Sequence, residues 1–101
     1  MRKQKPSSHK LFVLVDRTLS RSQQAGQACH AVAEFVIYHK DYWEHQSLVL
    51  LAVNGEEEME EWLRKLSIYN HAGFWETYQG PRLTAIACHG CDEVVKDLIL
   101  I

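Results

Sequence analysis

The residues best suited to chemistry gather in one stretch, LFVLVDRTLSRSQQAGQACHAVAEFVIYH over 11–39, where an apolar segment runs through a polar turn into a pattern of small and apolar residues. The turn holds Asp16, Arg17 and Arg21 among hydroxyl and amide side chains, whereas turn chemistry alone needs only a Gly or an Asn. Two arginines beside the uncommitted N–H groups of a helix start make a pocket for phosphate or carboxylate. Asp16 could polarise a water there, or could simply pair with Arg17 or Arg21. Gln27 and His30 lie three apart and share a helix face. A histidine on a mostly apolar helix is more often a packed, hydrogen-bonded core residue, so Gln27 is the better site candidate.

Three other groups invite a chemical reading. CHGC at 88–91 has the C-x-x-C spacing of zinc and redox sites, and Cys88 and Cys91 with Cys29 and His30 would supply four ligands. There is no second C-x-x-C, however, and Cys88 ends an apolar segment where a thiol packs as a small hydrophobe. Metal is therefore not expected. Glu56, Glu57, Glu58, Glu60 and Glu61 crowd together, but at a helix start they complement the macrodipole and read as a solvated face. Of the aromatics, Trp62 is core by its helical register. Trp75 and Tyr78, beside Glu76 and the Gly80-Pro81 turn, either stack a base or cover a sheet edge.

The elements that must position these groups follow from periodicity. Leu11 to Val15 and Leu48 to Val53 are continuous apolar runs of the kind that strands covered on both faces need. Ala25, Cys29 with Ala28, Val32 and Val36 recur at helical spacing to about residue 39, and Ser20 with Gln23 makes a capping box at the helix start. Met59, Trp62, Leu63 and Leu66 mark a second helix, with Asn54 and Glu57 as its expected cap. Ile68 to Trp75 is a weaker strand, TYQGPR a turn, Leu83 to Cys88 a clear strand, and Cys91 to Leu98 a last short helix. The order is β-α-β-α-β-β-α, which predicts an α/β fold with helices on the faces of a small sheet. In such sheets ligands bind at the carboxyl ends of strands, and the turn at 16–23 is such a place.

Composition agrees with one domain. The chain has 101 residues, 47% hydrophobic and 24% charged, which excludes a disordered or fibrous protein. No apolar run approaches a membrane span, no signal-peptide core follows the basic start, and three cysteines suit reduced thiols, so a cytoplasmic setting is expected. The net charge of −2 conceals an excess of five positive charges over residues 1–21. That end could face polyanions, though its first residues also read as a frayed basic tail.

These segments resemble type 2 peptidyl-tRNA hydrolases. The opening strand, turn and helix are similar to that family's, with Ala25-Gly26-Gln27-Ala28-Cys29-His30-Ala31 in place of its Ala-Ala-Gln-Cys-Ser-His-Ala type of helix start. LVLLAVNGEEEMEEWLRKL resembles its second strand and acid-started helix, and GPRLTAIACHG its Gly-Thr-Val-Thr-Cys-Leu-Ala-Val-Gly-Pro strand. The resemblance covers nearly all of 9–101, with 1–8 as a basic tail. It implies a three-layer α/β/α domain with a mixed four-stranded sheet that cleaves the ester between peptide and tRNA without metal or cofactor. It carries Gln27, Thr84 and His30 over as site residues, with Glu76 as the acidic group before the last strand. Asp16 is the other proton-transfer candidate, and Arg17, Arg21 and Gln23 are the expected substrate or phosphate contacts. The expected partners are a tRNA acceptor end or another nucleotide ligand, no membrane, and a second copy in a homodimer. In the turn, where the family usually reads Gly-Lys-Gly-Lys, this chain reads Ser20-Arg21-Ser22-Gln23, so Gln23 stands in place of a catalytically implicated lysine. A module that binds a nucleotide or RNA end and has lost the chemistry is the alternative.

Overall fold

The computed structural model describes residues 10–39, 43, 47–77 and 80–101. The expected basic tail at 1–8 lies outside them. Five consecutive buried apolar residues, Leu11 to Val15, require a strand covered on both faces, and they form the centre of β1 (Lys10–Asp16). The chain continues through α1 (Arg21–His39), β2 (Ser47–Val53), α2 (Gly55–Lys65), β3 (Asn70–Glu76), β4 (Arg82–His89) and α3 (Asp92–Val95). The result is an α/β fold, a mixed four-stranded sheet between helices, with the element order that periodicity predicts.

The sheet order is β2-β1-β4-β3, with β2 parallel to β1 and β4 antiparallel to both of its neighbours. Alternation along β1 divides the core. Leu11, Val13 and Val15 face α1 together with Ala85 and Ala87 of β4, while Phe12 and Leu14 join Met59, Leu66, Ile86 and Val95 beneath α2 and α3. Full burial of each larger side chain contributes about 1.5–3 kcal/mol.

Several local expectations shift. The stripe that α1 buries is Ala28, Ala31 and Phe35, flanked by Val32 and Val36, whereas Ala25 and Cys29 are exposed. Ala28, Ala31 and Phe35 share this side of the core with Ala85 and Ala87 of β4. Asn54 makes no side-chain cap on α2. Glu58 Oε1 instead accepts from the Asn54 N–H at 3.2 Å, and the Asp16 carboxylate takes the Gly55 N–H at 3.2 Å. Asp16 pairs in register with Val53, so its carboxylate already stands at the start of α2. β3 begins at Asn70 rather than Ile68, which is 83% exposed in the turn after α2. The last helix closes after Val95. The chain then runs antiparallel along the outer edge of β2, where the Ala52 N–H donates to Ile99 O at 2.9 Å and the Ile101 N–H to Leu50 O at 3.1 Å.

Candidate active site

The directions of the strands decide where chemistry can gather. β1, β2 and β3 run the same way and β4 runs against them, so the ends at Asp16, Val53 and Glu76 lie with the beginning of β4 at Arg82. The amino ends of α1 and α2 follow β1 and β2 on the same side. A cleft of about 330 Å³ opens there, lined by Leu19, Gln23, Gln27, Glu76, Gly80, Arg82 and Thr84.

The turn into α1 folds as its sequence requires. The Ser20 N–H donates to Gln23 Oε1 at 3.1 Å and the Gln23 N–H to Ser20 Oγ at 3.2 Å, a reciprocal capping box. That bond fixes the carbonyl end of Gln23, a residue in the cleft lining, and leaves its amide N–H groups as uncommitted donors. One turn on, Gln27 is held at both ends. Its Oε1 accepts from the Thr84 hydroxyl at 3.0 Å, and its Nε2 donates to Glu76 Oε2 at 3.2 Å. Glu76 Oε1 also accepts the Thr77 N–H at 2.8 Å. Donor and acceptor therefore alternate in order from β4 through α1 to β3, which fixes the orientation of the Gln27 amide.

Thr84 reaches this line through a bulge. Phe74 pairs with Ala85 and Trp75 with Leu83, so β4 carries one residue, Thr84, that β3 does not match. Leu83 keeps to the α2 side with Ile86 and Cys88, Ala85 keeps to the α1 side, and Thr84 turns to α1 as well. Apolar alternation in the sequence carries no sign of this extra residue.

Asp16 lies behind the cleft, fully buried. Its Oδ1 accepts from the Thr18 N–H at 2.9 Å, the Thr18 hydroxyl at 2.6 Å and the Gly55 N–H, and its Oδ2 from Arg82 Nη2 at 2.6 Å. The cation paired with it is thus Arg82, not Arg17 or Arg21. Burial pushes the Asp16 carboxyl up, but the Thr18 hydroxyl and amide, with the Arg82 guanidinium, outweigh that and hold it below the ordinary carboxylate value. Arg82 was not among the residues expected in the site. A charged residue opening a strand at a Gly-Pro turn was the available signal.

The other candidates separate. Arg17 is exposed, and Arg21 lines a different depression with Gln24, Ala25, Leu50 and Ile101. His30 is neither core nor cleft lining. It is exposed and stacks flat on Phe74, with ring centroids 4.4 Å apart and planes within 8°. Trp75 is 41% exposed outside the cleft lining, and Tyr78 lies outside the described residues. Cys88 and Cys91 are buried under α2 and α3, across the sheet from Cys29 and His30 on α1, so the four ligands of the C-x-x-C reading do not converge. No group of three or more His, Cys, Asp or Glu able to hold a metal occurs among the described residues. The hydrogen-bonding Cys91 thiol, together with burial, pushes the Cys88 thiol far above the ordinary range.

Fold and cleft define a class: a mixed-sheet α/β domain with a polar cleft at the strand ends, built around an oriented glutamine. The chain matches no protein-family model and no curated protein sequence. Among the described residues, no helix is long and apolar enough to cross a membrane.

Proposed function

We propose that this chain hydrolyses the ester joining a peptide to the acceptor end of tRNA. The supporting observation is the line from Thr84 through Gln27 to Glu76 along one wall of the cleft. In ester hydrolysis a water adds to the carbonyl, its oxygen becomes an oxyanion, and the ribose oxygen leaves with a proton to give a free peptide carboxylate and a tRNA hydroxyl. Glu76, the acidic end of that line, accepts the proton of the water and returns it to the leaving oxygen. Gln27 keeps a second amide N–H beyond the one given to Glu76, and Gln23 keeps both of its own, so the two can donate to the oxyanion. Asp16 holds the turn and Arg82 instead, because it is fully buried behind the cleft. Arg17 and Arg21 then serve as outer contacts for the tRNA backbone.

A binding module for a nucleotide or RNA end is the second reading. It is favoured by Glu76, which already accepts hydrogen bonds at both oxygens, an arrangement that suits fixing a ligand hydroxyl. Incubating the purified chain with N-acetyl-aminoacyl-tRNA decides between them: release of the acylated amino acid above background supports the hydrolase, and retained tRNA binding without release supports the module. The cytoplasmic setting and a homodimer belong to the same proposal, and sedimentation of the purified chain tests the dimer.

A further inference from the structure

Glu76 and Arg82 are register partners across β3 and β4, yet they do not pair with each other. Opposite charges directly across a strand pair ordinarily attract. Here the Arg82 guanidinium turns to Asp16 at 2.6 Å and to the Thr18 hydroxyl at 3.2 Å, while Glu76 turns to Gln27 and Thr77. The cleft lining thus holds a carboxylate and a guanidinium that do not neutralise each other, together with Thr84 and Gln27.

Arg82 is the cation in the described cleft lining, and it is held in place. Asp16 is fully buried and its Oδ1 is occupied by Thr18 and Gly55, so the carboxylate anchors Nη2 from behind. The Arg82 side chain is nevertheless 38% exposed. Its Nη1 has no acceptor among the described residues, and its buried Nε has none either. A guanidinium pinned through one nitrogen, with its remaining donors unused, is preorganised for an anionic oxygen. An anion alone would also meet Glu76, so the ligand that fits is dipolar, with an acidic oxygen for Arg82 and a hydroxyl donor for Glu76.

We propose that Arg82 is the phosphate-binding residue of the cleft and that the cleft takes a nucleoside 5′-phosphate group, with the phosphate on Arg82 and a ribose hydroxyl donating to Glu76. This rests on reading the cleft as a site for an RNA end. It places the innermost phosphate on β4 and leaves Arg17 and Arg21 to backbone farther out.

The test compares adenosine 5′-monophosphate with adenosine by calorimetry on the full chain at low salt. The wild type should prefer the monophosphate by about tenfold or more, the value of one charge-assisted contact. Arg82→Gln should abolish the preference while keeping adenosine binding, whereas a folding defect would weaken both ligands together. Lys96→Ala, which removes an exposed cation beyond the far end of β4, should leave the preference intact. In the wild-type chain, the Arg82 Nε–H resonance should shift with the monophosphate and not with adenosine, a readout that needs no variant. No preference in the wild type, a preference that survives Arg82→Gln, or an unmoved Arg82 signal overturns the proposal. Hydrolysis without phosphate preference removes this inference alone. Phosphate preference without hydrolysis supports it and removes the hydrolase reading instead.

Discussion

The Thr84 hydroxyl meets Gln27 Oε1 at 3.0 Å because β4 carries one residue more than β3 at that point. Strict alternation would have sent Thr84 to the side of Ile86 and Cys88, beneath α2. The bulge turns it to α1 and makes it the anchor that orients the Gln27 amide.

Thr84→Val keeps the shape and β-propensity of the strand but leaves Gln27 Oε1 without its donor. If Gln27 acts on the transition state, Thr84→Val and Gln27→Ala should each lower turnover of N-acetyl-aminoacyl-tRNA by about 10²-fold, the usual cost of one oxyanion donor. Equal turnover in all three proteins, measured in single-turnover conditions, would exclude Gln27 from the chemistry.

Gln23→Lys should act in two directions. It brings a cation into the cleft and should raise hydrolysis, but it also removes the Oε1 that accepts the Ser20 N–H, so the midpoint of thermal unfolding should fall. Ser20→Ala, which loses the other half of the box, should cost about 1 kcal/mol and leave the charge of the cleft unchanged. A Gln23→Lys protein that is less stable and no more active would show that charge at this position does not limit the reaction.

Asp16→Asn should destabilise the fold by about 1–2 kcal/mol at neutral pH, at the lower end for hydrogen bonds to a charged group because the partner Arg82 is partly solvated. Folding lowers the Asp16 pKa from 3.8, so its contribution is complete above that pH and is lost as the pH falls through the lower folded value. Urea midpoints measured from neutral pH down to about pH 3 should therefore fall more steeply for the wild type than for Asp16→Asn. Parallel curves would mean that Asp16 titrates alike in the folded and unfolded chains.

Native protein at pH 8 should react with a thiol reagent at Cys29 alone, with Cys88 and Cys91 following only in denaturant. Cys29 is exposed, whereas the other two are fully buried and Cys88 is held strongly in the neutral form. Rapid labelling of Cys88 in the native state would require this part of the core to open on the reagent's timescale.

What the sequence determined by itself is local. The capping box of Ser20 and Gln23 needs residues three apart, the stripe of Met59, Trp62, Leu63 and Leu66 needs only helical period, and the apolar runs declare strands, covered on both faces in β1 and β4 but only in the second half of the edge strand β2. The order β-α-β-α-β-β-α follows from these. Wherever two local choices were equally apolar, tertiary packing decided. Ala25 and Cys29 could have been buried in place of Ala31 and Phe35, but it is Ala31 and Phe35 that share the core with Ala85 and Ala87. The assembly of the cleft is likewise tertiary. The resemblance named Gln27, Glu76 and Thr84, but the strand order decides that they meet, by setting β4 between β1 and β3 with its start against their ends. Arg82 shows the limit most plainly. Its partner Asp16 is 66 residues away, while the arginines nearest to Asp16 in the chain are Arg17 and Arg21. Charge in a sequence names the ions, but burial and strand register choose the pairs, because a buried carboxylate takes the donors that the sheet brings within about 3 Å.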